Sequence, residues 1–248
     1  MDWKMNNTIT WSGYEWIPQE RWGQVHSEKS HWWYDASCVK IDADDNLHLH
    51  TKFNPKLFPG GIVSNIGVGL VSCTTKFRHG VFAVTAKLPT GAHLWPAFWM
   101  WSWDTWPPEI DVFEAYSNSR GSYLKPRLLN PAGFWNVQTN LHYTKDSKNK
   151  MAKGKTHWFG FRDPSKHFIT YHVEWTPEYV NYYYDGRLVR TIDDANILQQ
   201  LNQTSMNVVI NNGVTEHVDR IDPPQSDFVV KKFEYIALED LPYRQVSM

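Results

Sequence analysis

The sequence predicts an all-β protein, built as a sandwich or barrel of antiparallel strands. Three observations support this fold class. Hydrophobic residues recur mostly at every second position, Gly, Pro, Asn and Asp separate the short apolar segments, and only one short segment suits a helix. A sandwich of 248 residues commonly forms one domain. No repeat, linker or change of composition interrupts the chain, so residues 1–248 are expected to form a single domain.

The predicted strands follow one another along the chain. Residues 45–51 alternate strictly and place Leu47 and Leu49 on one face. Residues 81–88 are rich in β-branched and aromatic side chains, which favour strands. Later strands are predicted at residues 138–143, 172–175, 181–184 and 228–238. Short alternating strands of this kind indicate antiparallel sheets.

The segments between these strands carry different signals. Asp185-Gly186 follows a tyrosine-rich strand and is typical of a two-residue hairpin turn with positive φ angles. Residues 194–201 suit a short helix. Residues 52–68 and 117–136 are rich in Gly, Pro, Ser and Asn and show little periodicity. They are therefore interpreted as long surface loops, and loops of that length are often functional.

The charge balance and the absence of long apolar runs argue against two classes of partner. Lys and Arg number 25 against 26 Asp and Glu, a net charge of −1, whereas nucleic-acid-binding proteins usually carry a basic surplus. No run approaches the roughly 18 apolar residues of a membrane helix. Residues 1–7 are polar and no apolar signal segment follows them. The chain is expected to be either cytoplasmic or a mature form whose signal peptide has been removed.

Tryptophan is unusually frequent, with 14 Trp beside 12 Tyr and 12 Phe. Two interpretations stay open: the indoles fill the core of a β protein, or some of them line a groove that binds the flat faces of sugar rings. Cys38 and Cys73 could form a disulfide in an oxidising compartment, although two buried thiols are the commoner arrangement. No C-x-x-C or H-E-x-x-H spacing indicates a metal site.

The most informative segment is Glu109-Ile110-Asp111-Val112-Phe113-Glu114, with three carboxylates in six residues. On a regular strand Glu109 and Asp111 share one face and Glu114 points to the other. One extra residue at Val112-Phe113, a β-bulge, would return Glu114 to the first face, and bulges recur beside active sites. Glu109 and Glu114 could then act as the two carboxylates of a retaining glycosidase, with Asp111 orienting Glu109. The alternative is a row of surface carboxylates, which fits poorly with the apolar neighbours.

This motif is one of several segments that occur in a fixed order. Residues 94–99 (Leu-Trp-Pro-Ala-Phe-Trp) precede it, and further matching segments lie at residues 79–89, 139–143, 171–177, 184–190 and 233–238. The series resembles glycoside hydrolase family 16, which contains laminarinases, agarases, porphyranases and carrageenases with an E-I-D-x-x-E motif. The resemblance covers roughly residues 35–240, and an ordered series of matches is more specific than one motif.

The resemblance implies a jelly-roll sandwich of two antiparallel sheets with an open concave groove, in one catalytic domain. It implies retaining endo-hydrolysis of a β-linked polysaccharide, either a marine galactan such as agarose, porphyran or carrageenan, or β-1,3-glucan. By motif position Glu109 is the nucleophile, Glu114 the general acid/base and Asp111 the helper bonded to Glu109. No cofactor is expected, except that many relatives carry a structural calcium and Glu234 stands where a family Asp helps to hold it.

The expected substrate contacts lie on two strands. One set consists of tryptophans expected to stack on sugar rings: Trp101, Trp103 and Trp106. The other consists of alternating polar residues expected to bind sugar hydroxyls: Gln138, Asn140 and His142. Core packing and a solvated strand face are the respective alternatives. The remaining tryptophans singled out, Trp95, Trp99 and Trp175, are assigned to the sandwich core.

Two other functions remain open at this point. A non-catalytic glycan-binding module could share the fold, but it would normally have lost Glu109 or Glu114. A transglycosylase would use the same intermediate with a sugar as acceptor. In every case the expected partner is a polysaccharide, met outside the cell, at the cell surface or in the periplasm by a monomeric protein. The sugar itself is left open, because the departures from the family pattern lie around the groove.

Overall fold

A computed structural model of the chain describes residues 8–25, 31–127, 130–144, 150–158, 162–215, 218 and 225–241. Strands occupy most of these residues, and the one α-helix of this described part is α1 (Ala195–Asn202). The first ten strands are β1 (Ile9–Trp11), β2 (Tyr14–Ile17), β3 (Trp32–Tyr34), β4 (Val39–Ile41), β5 (Leu47–Leu49), β6 (Thr51–Leu57), β7 (Val63–Val68), β8 (Leu70–Cys73), β9 (Gly80–Lys87) and β10 (Leu94–Trp101). The others are β11 (Glu109–Glu114), β12 (Leu124–Arg127), β13 (Asn130–Thr144), β14 (Lys150–Ala152), β15 (Lys155–Trp158), β16 (Ile169–Trp175), β17 (Val180–Tyr184), β18 (Arg187–Ile192), β19 (Asn207–Val214) and β20 (Phe228–Ala237).

The described strands form two large sheets and one small sheet. The first sheet has the order β1-β2-β8-β19-β10-β11-β13-β12, and β14 and β15 also pair with β13. The second has the order β18-β17-β16-β9-β20-β5-β4, and the small sheet has the order β3-β7-β6. Among these pairs only β3 and β7 run parallel.

The main hydrophobic core lies between the two large sheets. Phe113 of β11 packs against Tyr171 of β16, with ring centroids 4.3 Å apart, and against Phe228 of β20 at 5.9 Å. All three rings are fully buried. Each square ångström of apolar surface buried in this way stabilises the fold by roughly 25 cal/mol. The structure therefore confirms the predicted jelly-roll sandwich, and β11 is held from behind by close packing.

A second, smaller apolar cluster covers part of the opposite face of the first sheet. The small sheet contributes Trp32 and Tyr34 from β3, and the first sheet contributes Trp101 from β10 and Val209 from β19. The two indoles in this cluster are nearly buried. The small sheet thus packs against the outer face of β10 and β19.

Several local predictions are confirmed. Leu47 and Leu49 are fully buried on one face of β5. Asp185 and Gly186 have φ angles of 49° and 72°, as the turn between β17 and β18 requires. The predicted helix is α1, and the Asp194 side chain caps it by accepting hydrogen bonds from two backbone N–H groups of its first turn.

The interpretation of residues 52–68 and 117–136 as long loops is wrong. The first segment contains most of β6 and all of β7, and the second contains β12 and the start of β13. The β6–β7 register shifts between Phe53 and Lys56, so the alternation that marks a strand is interrupted in the sequence. Close packing explains one of the glycines, because a Cβ atom on Gly67 would lie 2.7 Å from a carboxylate oxygen of Asp35.

Cys38 and Cys73 are free thiols, and both are buried. Their environment raises the pKa of each thiol, mainly through burial, so both stay protonated at neutral pH. The polar residues 1–7 lie outside the described residues. Within the described ranges, no helix is long and apolar enough to cross a membrane.

Candidate active site

The strand β11 lies in the middle of the first sheet, between β10 and β13. Its register against β13 shifts between Asp111 and Glu114, and against β10 the same shift leaves Val112 as the extra residue. This confirms the predicted bulge. The hydroxyl of Tyr184, on the opposite sheet, donates a hydrogen bond of 3.0 Å to the carbonyl of Val112. This hydrogen bond gives a partner to a buried carbonyl oxygen that the pairing of the strands does not use.

The bulge brings three carboxylates to one side of the sheet. Glu109, Asp111 and Glu114 all line the same groove on the outer face of the first sheet. Asp111 and Glu114 are 3% and 8% exposed, and Glu109 is partly buried. Without the extra residue Glu114 would face the sandwich core instead. Acidic groups gathered at low exposure oppose one another's ionisation, so their pKa values are pushed apart.

Glu109 is held by three neighbouring side chains. The indole N–H of Trp106 donates to its Oε2 at 2.7 Å. Asp111 shares a hydrogen bond with it, and the Nε2 atom of His142 lies 3.4 Å from its Oε1. Burial raises the pKa of Glu109 to about 7, whereas the hydrogen bonds from Trp106 and Asp111 lower it. These donors favour the ionised form that a nucleophile requires.

The environment of Asp111 favours the protonated carboxyl group, in contrast to the donors around Glu109. Burial raises its pKa well above the usual value, and the charges of Glu109 and Glu114 raise it further. The environment of Asp111 therefore favours its protonated form, which can donate a hydrogen bond to Glu109. Burial lowers the pKa of His142, so its imidazole is neutral at the same pH.

Glu114 is oriented by a pair of stacked aromatic side chains. The hydroxyl of Tyr116 donates to Oε1 of Glu114 at 2.8 Å, and the indole N–H of Trp95 donates to the same atom at 3.2 Å. The two rings stack with centroids 5.1 Å apart. Burial raises the pKa of Glu114, and the hydrogen bonds from Tyr116, Trp95 and Asn140 lower it. The side chain is thereby fixed in direction while burial favours its protonated form.

The groove has different chemistry on its two sides. It encloses about 910 Å³. On one side of β11 stand the indoles of Trp99 and Trp101, and on the other stand the polar side chains of Asn140 and His142. Aromatic faces suit the apolar faces of sugar rings, and polar side chains suit their hydroxyl groups.

The structure brings together most of the residues expected to contact substrate. Trp101, Trp106, Asn140 and His142 line the groove beside the three carboxylates. Gln138 is half-buried and pairs directly with Glu114 across the β11–β13 ladder, but it does not line the groove. Trp103 packs at the edge of the second apolar cluster and is likewise absent from the groove lining.

Two tryptophans assigned to the core belong instead to the groove. Trp175 is fully buried, as expected. Trp95 and Trp99, however, are only partly buried and line the groove. The cause is the register. β10 pairs Trp101 with Glu109, so its odd-numbered indoles face the carboxylates, whereas Phe98 and Met100 face the main core.

Sequence reasoning also missed several residues of the groove. Tyr116 stands two positions after Glu114, and that spacing on an extended chain could have revealed it. The other missed residues come from distant segments that only folding brings together: Trp22, Trp32, Tyr34 and Asn211. Asn211 accepts a hydrogen bond of 2.8 Å from the indole N–H of Trp99 and so fixes that ring.

The residues that could bind a metal ion belong to the carboxylate cluster and its histidine neighbour. Within the described ranges, one group of three side chains could hold a metal ion, namely Glu109, Asp111 and His142, with ligand atoms within 4.8 Å of one another. Two of these are the carboxyl groups that share a proton. At the position expected to hold calcium, Glu234 is exposed and its carboxylate pairs with Lys232 at 2.8 Å. It offers the ion one carboxylate that already has a partner, and calcium binding stays a prediction.

Comparison with known proteins finds one matching family model and several related sequences. The family model for glycosyl hydrolases family 16 matches residues 26–219. A β-1,3-glucan-binding protein of Penaeus monodon is 29% identical over 131 residues, which are 47% of this chain and 32% of that protein. The glucan endo-1,3-beta-glucosidase A1 of Niallia circulans is 27% identical over 176 residues, 67% of this chain and 24% of that enzyme. The chain thus spans about a third or less of the length of these two relatives.

The fold is also found among solved structures. One structure, reported with endo-acting O-glycanases by which members of the human gut microbiota initiate mucin breakdown, superposes with a TM-score of 0.72. It is 20% identical, and the alignment covers 99% of this chain and 92% of that one. At this level of identity the likeness establishes a shared fold.

Proposed function

Because the chain belongs to glycosyl hydrolases family 16, we propose that it is a retaining endo-glycosidase that hydrolyses a β-linked polysaccharide through a covalent intermediate. One observation carries the proposal above all. The bulge in β11 sets Glu109 and Glu114 on one groove, with Asp111 between them. Retaining glycosidases use two carboxyl groups flanking the scissile bond in two different protonation states.

In the first step Glu109 attacks the anomeric carbon and the glycosidic C–O bond breaks. Glu114 gives its proton to the departing oxygen, and an ester forms between the sugar and Glu109. In the second step Glu114, now ionised, takes a proton from water as that water attacks the anomeric carbon. The ester bond breaks, and both carboxyl groups return to their starting states.

The neighbouring side chains prepare these two states. Trp106 and Asp111 donate hydrogen bonds to Glu109 and hold its reactive oxygens in place. Tyr116 and Trp95 fix Glu114, which burial keeps ready to hold a proton. Groups positioned before the reaction cost no reorganisation during it.

For the substrate we propose β-1,3-glucan. Both curated relatives described above carry β-1,3-glucan in their names, one as a binding protein and one as an endo-glucosidase. The intact trio of carboxylates in this chain favours hydrolysis over binding alone. A polymer of this size is met outside the cell, so we propose an extracellular or periplasmic site of action for a monomeric enzyme.

The test is release of reducing ends from laminarin, agarose, porphyran, carrageenan and mucin. Wild-type protein is expected to act on laminarin, and Glu109→Gln is expected to lose activity by roughly a thousandfold or more. The matched control is Glu15→Gln, an exposed residue of β2 that should change nothing. If wild type and Glu109→Gln bind one glycan equally and neither cleaves any, the protein is a binding module. Products longer than the substrate would indicate transglycosylation.

A further inference from the structure

A tight turn at residues 20–23 carries an exposed tryptophan to the groove. The backbone N–H of Gly23 donates to the carbonyl of Glu20 at 2.9 Å and closes the turn. Gly23 has a φ angle of 116°, which favours glycine at this position. The turn lies before residue 26, where the match to the family model begins. The match to the family model therefore does not cover this turn.

Trp22, in the middle of this turn, is exposed but fixed in orientation. Its side chain is 44% exposed and lines the groove. The indole N–H donates a hydrogen bond of 2.8 Å to the carbonyl of Val25, and Val25 in turn bridges to Trp33 of β3. The ring lies 5.1 Å from Trp101, centroid to centroid. An indole held at its edge while part of its face stays in solvent loses little conformational entropy on binding a ligand.

Glu20, the first residue of the turn, holds the turn against the protein interior. This side chain is completely buried, and its carboxyl group lies near the indole N–H of Trp101 and the hydroxyl of Ser72. None of these polar groups reaches regular hydrogen-bond geometry with another group among the described residues. Because Glu20 is locked inside the protein, the neighbouring Trp22 has a defined position beside Trp101.

We propose that Trp22 is a stacking platform for a sugar ring and forms an additional subsite of the groove. It continues a row of indoles that begins at Trp99 and Trp101, whose rings stack with centroids 6.5 Å apart. Trp101 pairs with Glu109 across the β10–β11 ladder, and Trp22 contacts Trp101 from the turn before β3. The ligand class is a β-linked glucan chain lying across the strands.

This inference rests on the proposed function for its choice of ligand. A sugar ring has one apolar face that stacks on an aromatic side chain in much the same way as a second aromatic ring does. Losing a contact of that kind is expected to change the affinity by roughly two- to thirteenfold. Only a glycan long enough to reach past Trp101 benefits, so the effect depends on chain length.

The experiment measures binding of laminaribiose through laminarihexaose by calorimetry in the Glu109→Gln background. Adding Trp22→Ala is expected to weaken hexaose binding by roughly two- to thirteenfold, and Trp22→Tyr is expected to retain most of it. The matched control is Phe53→Ala, which removes an exposed aromatic ring of β6 that does not line the groove. In otherwise wild-type protein, Trp22→Ala should raise KM for the hexaose and leave kcat nearly unchanged.

The outcomes separate this inference from the proposed function. If wild type cleaves laminarihexaose and Trp22→Ala alters neither its affinity nor its KM, the subsite is refuted and the hydrolase stands. If wild type cleaves no oligosaccharide but hexaose binding depends on Trp22, the hydrolase is refuted and the subsite stands. If no variant binds any of these oligosaccharides, the subsite and the proposed β-1,3-glucan substrate are both refuted.

Discussion

Replacing Glu20 by Gln is expected to stabilise the protein at neutral pH. Burial raises the pKa of Glu20 from 4.5 to about 8, and the charge of Glu109 also raises it. The folded protein therefore keeps a proton on Glu20 that the unfolded chain releases above pH 4.5. Gln has nearly the shape of the protonated acid but does not ionise, so it avoids this cost.

The size of the effect follows from proton linkage. The contribution of protonated Glu20 to the free energy of unfolding is fully present below pH 4.5. It is lost as the pH rises towards 8, by about 1.4 kcal/mol per pH unit. At pH 7 the wild type has lost about 3 kcal/mol that Glu20→Gln retains. The titratable groups that face Glu20, Tyr34 and Glu109, are present in both proteins, so the difference isolates Glu20.

The assay is urea unfolding at several pH values from 5 to 8, with Glu15→Gln as the control. Glu15 is exposed on β2, so Glu15→Gln makes the same change of side chain outside the core. The difference between Glu20→Gln and wild type should grow steadily with pH. Parallel curves for the two proteins over this whole range would refute the reasoning, because Glu20 would then ionise at the same pH in both states.

Three further substitutions test the carboxylate cluster. Trp106→Phe removes a hydrogen bond that lowers the pKa of Glu109, so activity that needs ionised Glu109 should begin at higher pH in a pH–rate profile; an unchanged acidic limb would contradict this. Tyr116→Phe removes a donor that lowers the pKa of Glu114, so the alkaline limb, where the acid is lost, should move to higher pH rather than lower. Tyr184→Phe leaves the bulge carbonyl unpaired and should reduce the free energy of unfolding by about 1–3 kcal/mol, as urea denaturation would measure; no loss would mean that another group satisfies that carbonyl.

The bulge was predictable because strand geometry allows few alternatives. Three carboxylates beside apolar residues cannot all share one face of a regular strand, and one extra residue resolves the conflict. The identity of the partner that supports the bulge was not predictable. Tyr184 lies far along the chain from Val112, and only the packing of the two sheets brings its hydroxyl to that carbonyl.

The tryptophans show where local patterns stop being informative. Trp99, Trp101 and Trp103 recur at every second position, which predicts that they share one strand face, but periodicity does not say which face meets the core. Pairing with β11 decides this, since it turns that face towards the carboxylates. Trp103 follows the same period beyond the end of β10 and packs at the edge of the second apolar cluster instead.

The sequence by itself determined the fold class, the positions of several strands and the carboxylate trio, because alternation and turn residues act over a few neighbouring positions. The tertiary structure decided how the carboxyl groups differ. Burial depends on the whole fold, and it raises the pKa of Asp111 well above its usual value, while hydrogen bonds from Trp106 and Asp111 lower that of Glu109. The turn that carries Trp22 was likewise invisible in the sequence, since its place beside Trp101 depends on β3 and the buried Glu20. Contacts between distant segments arise only when the chain packs, so no local pattern encodes them.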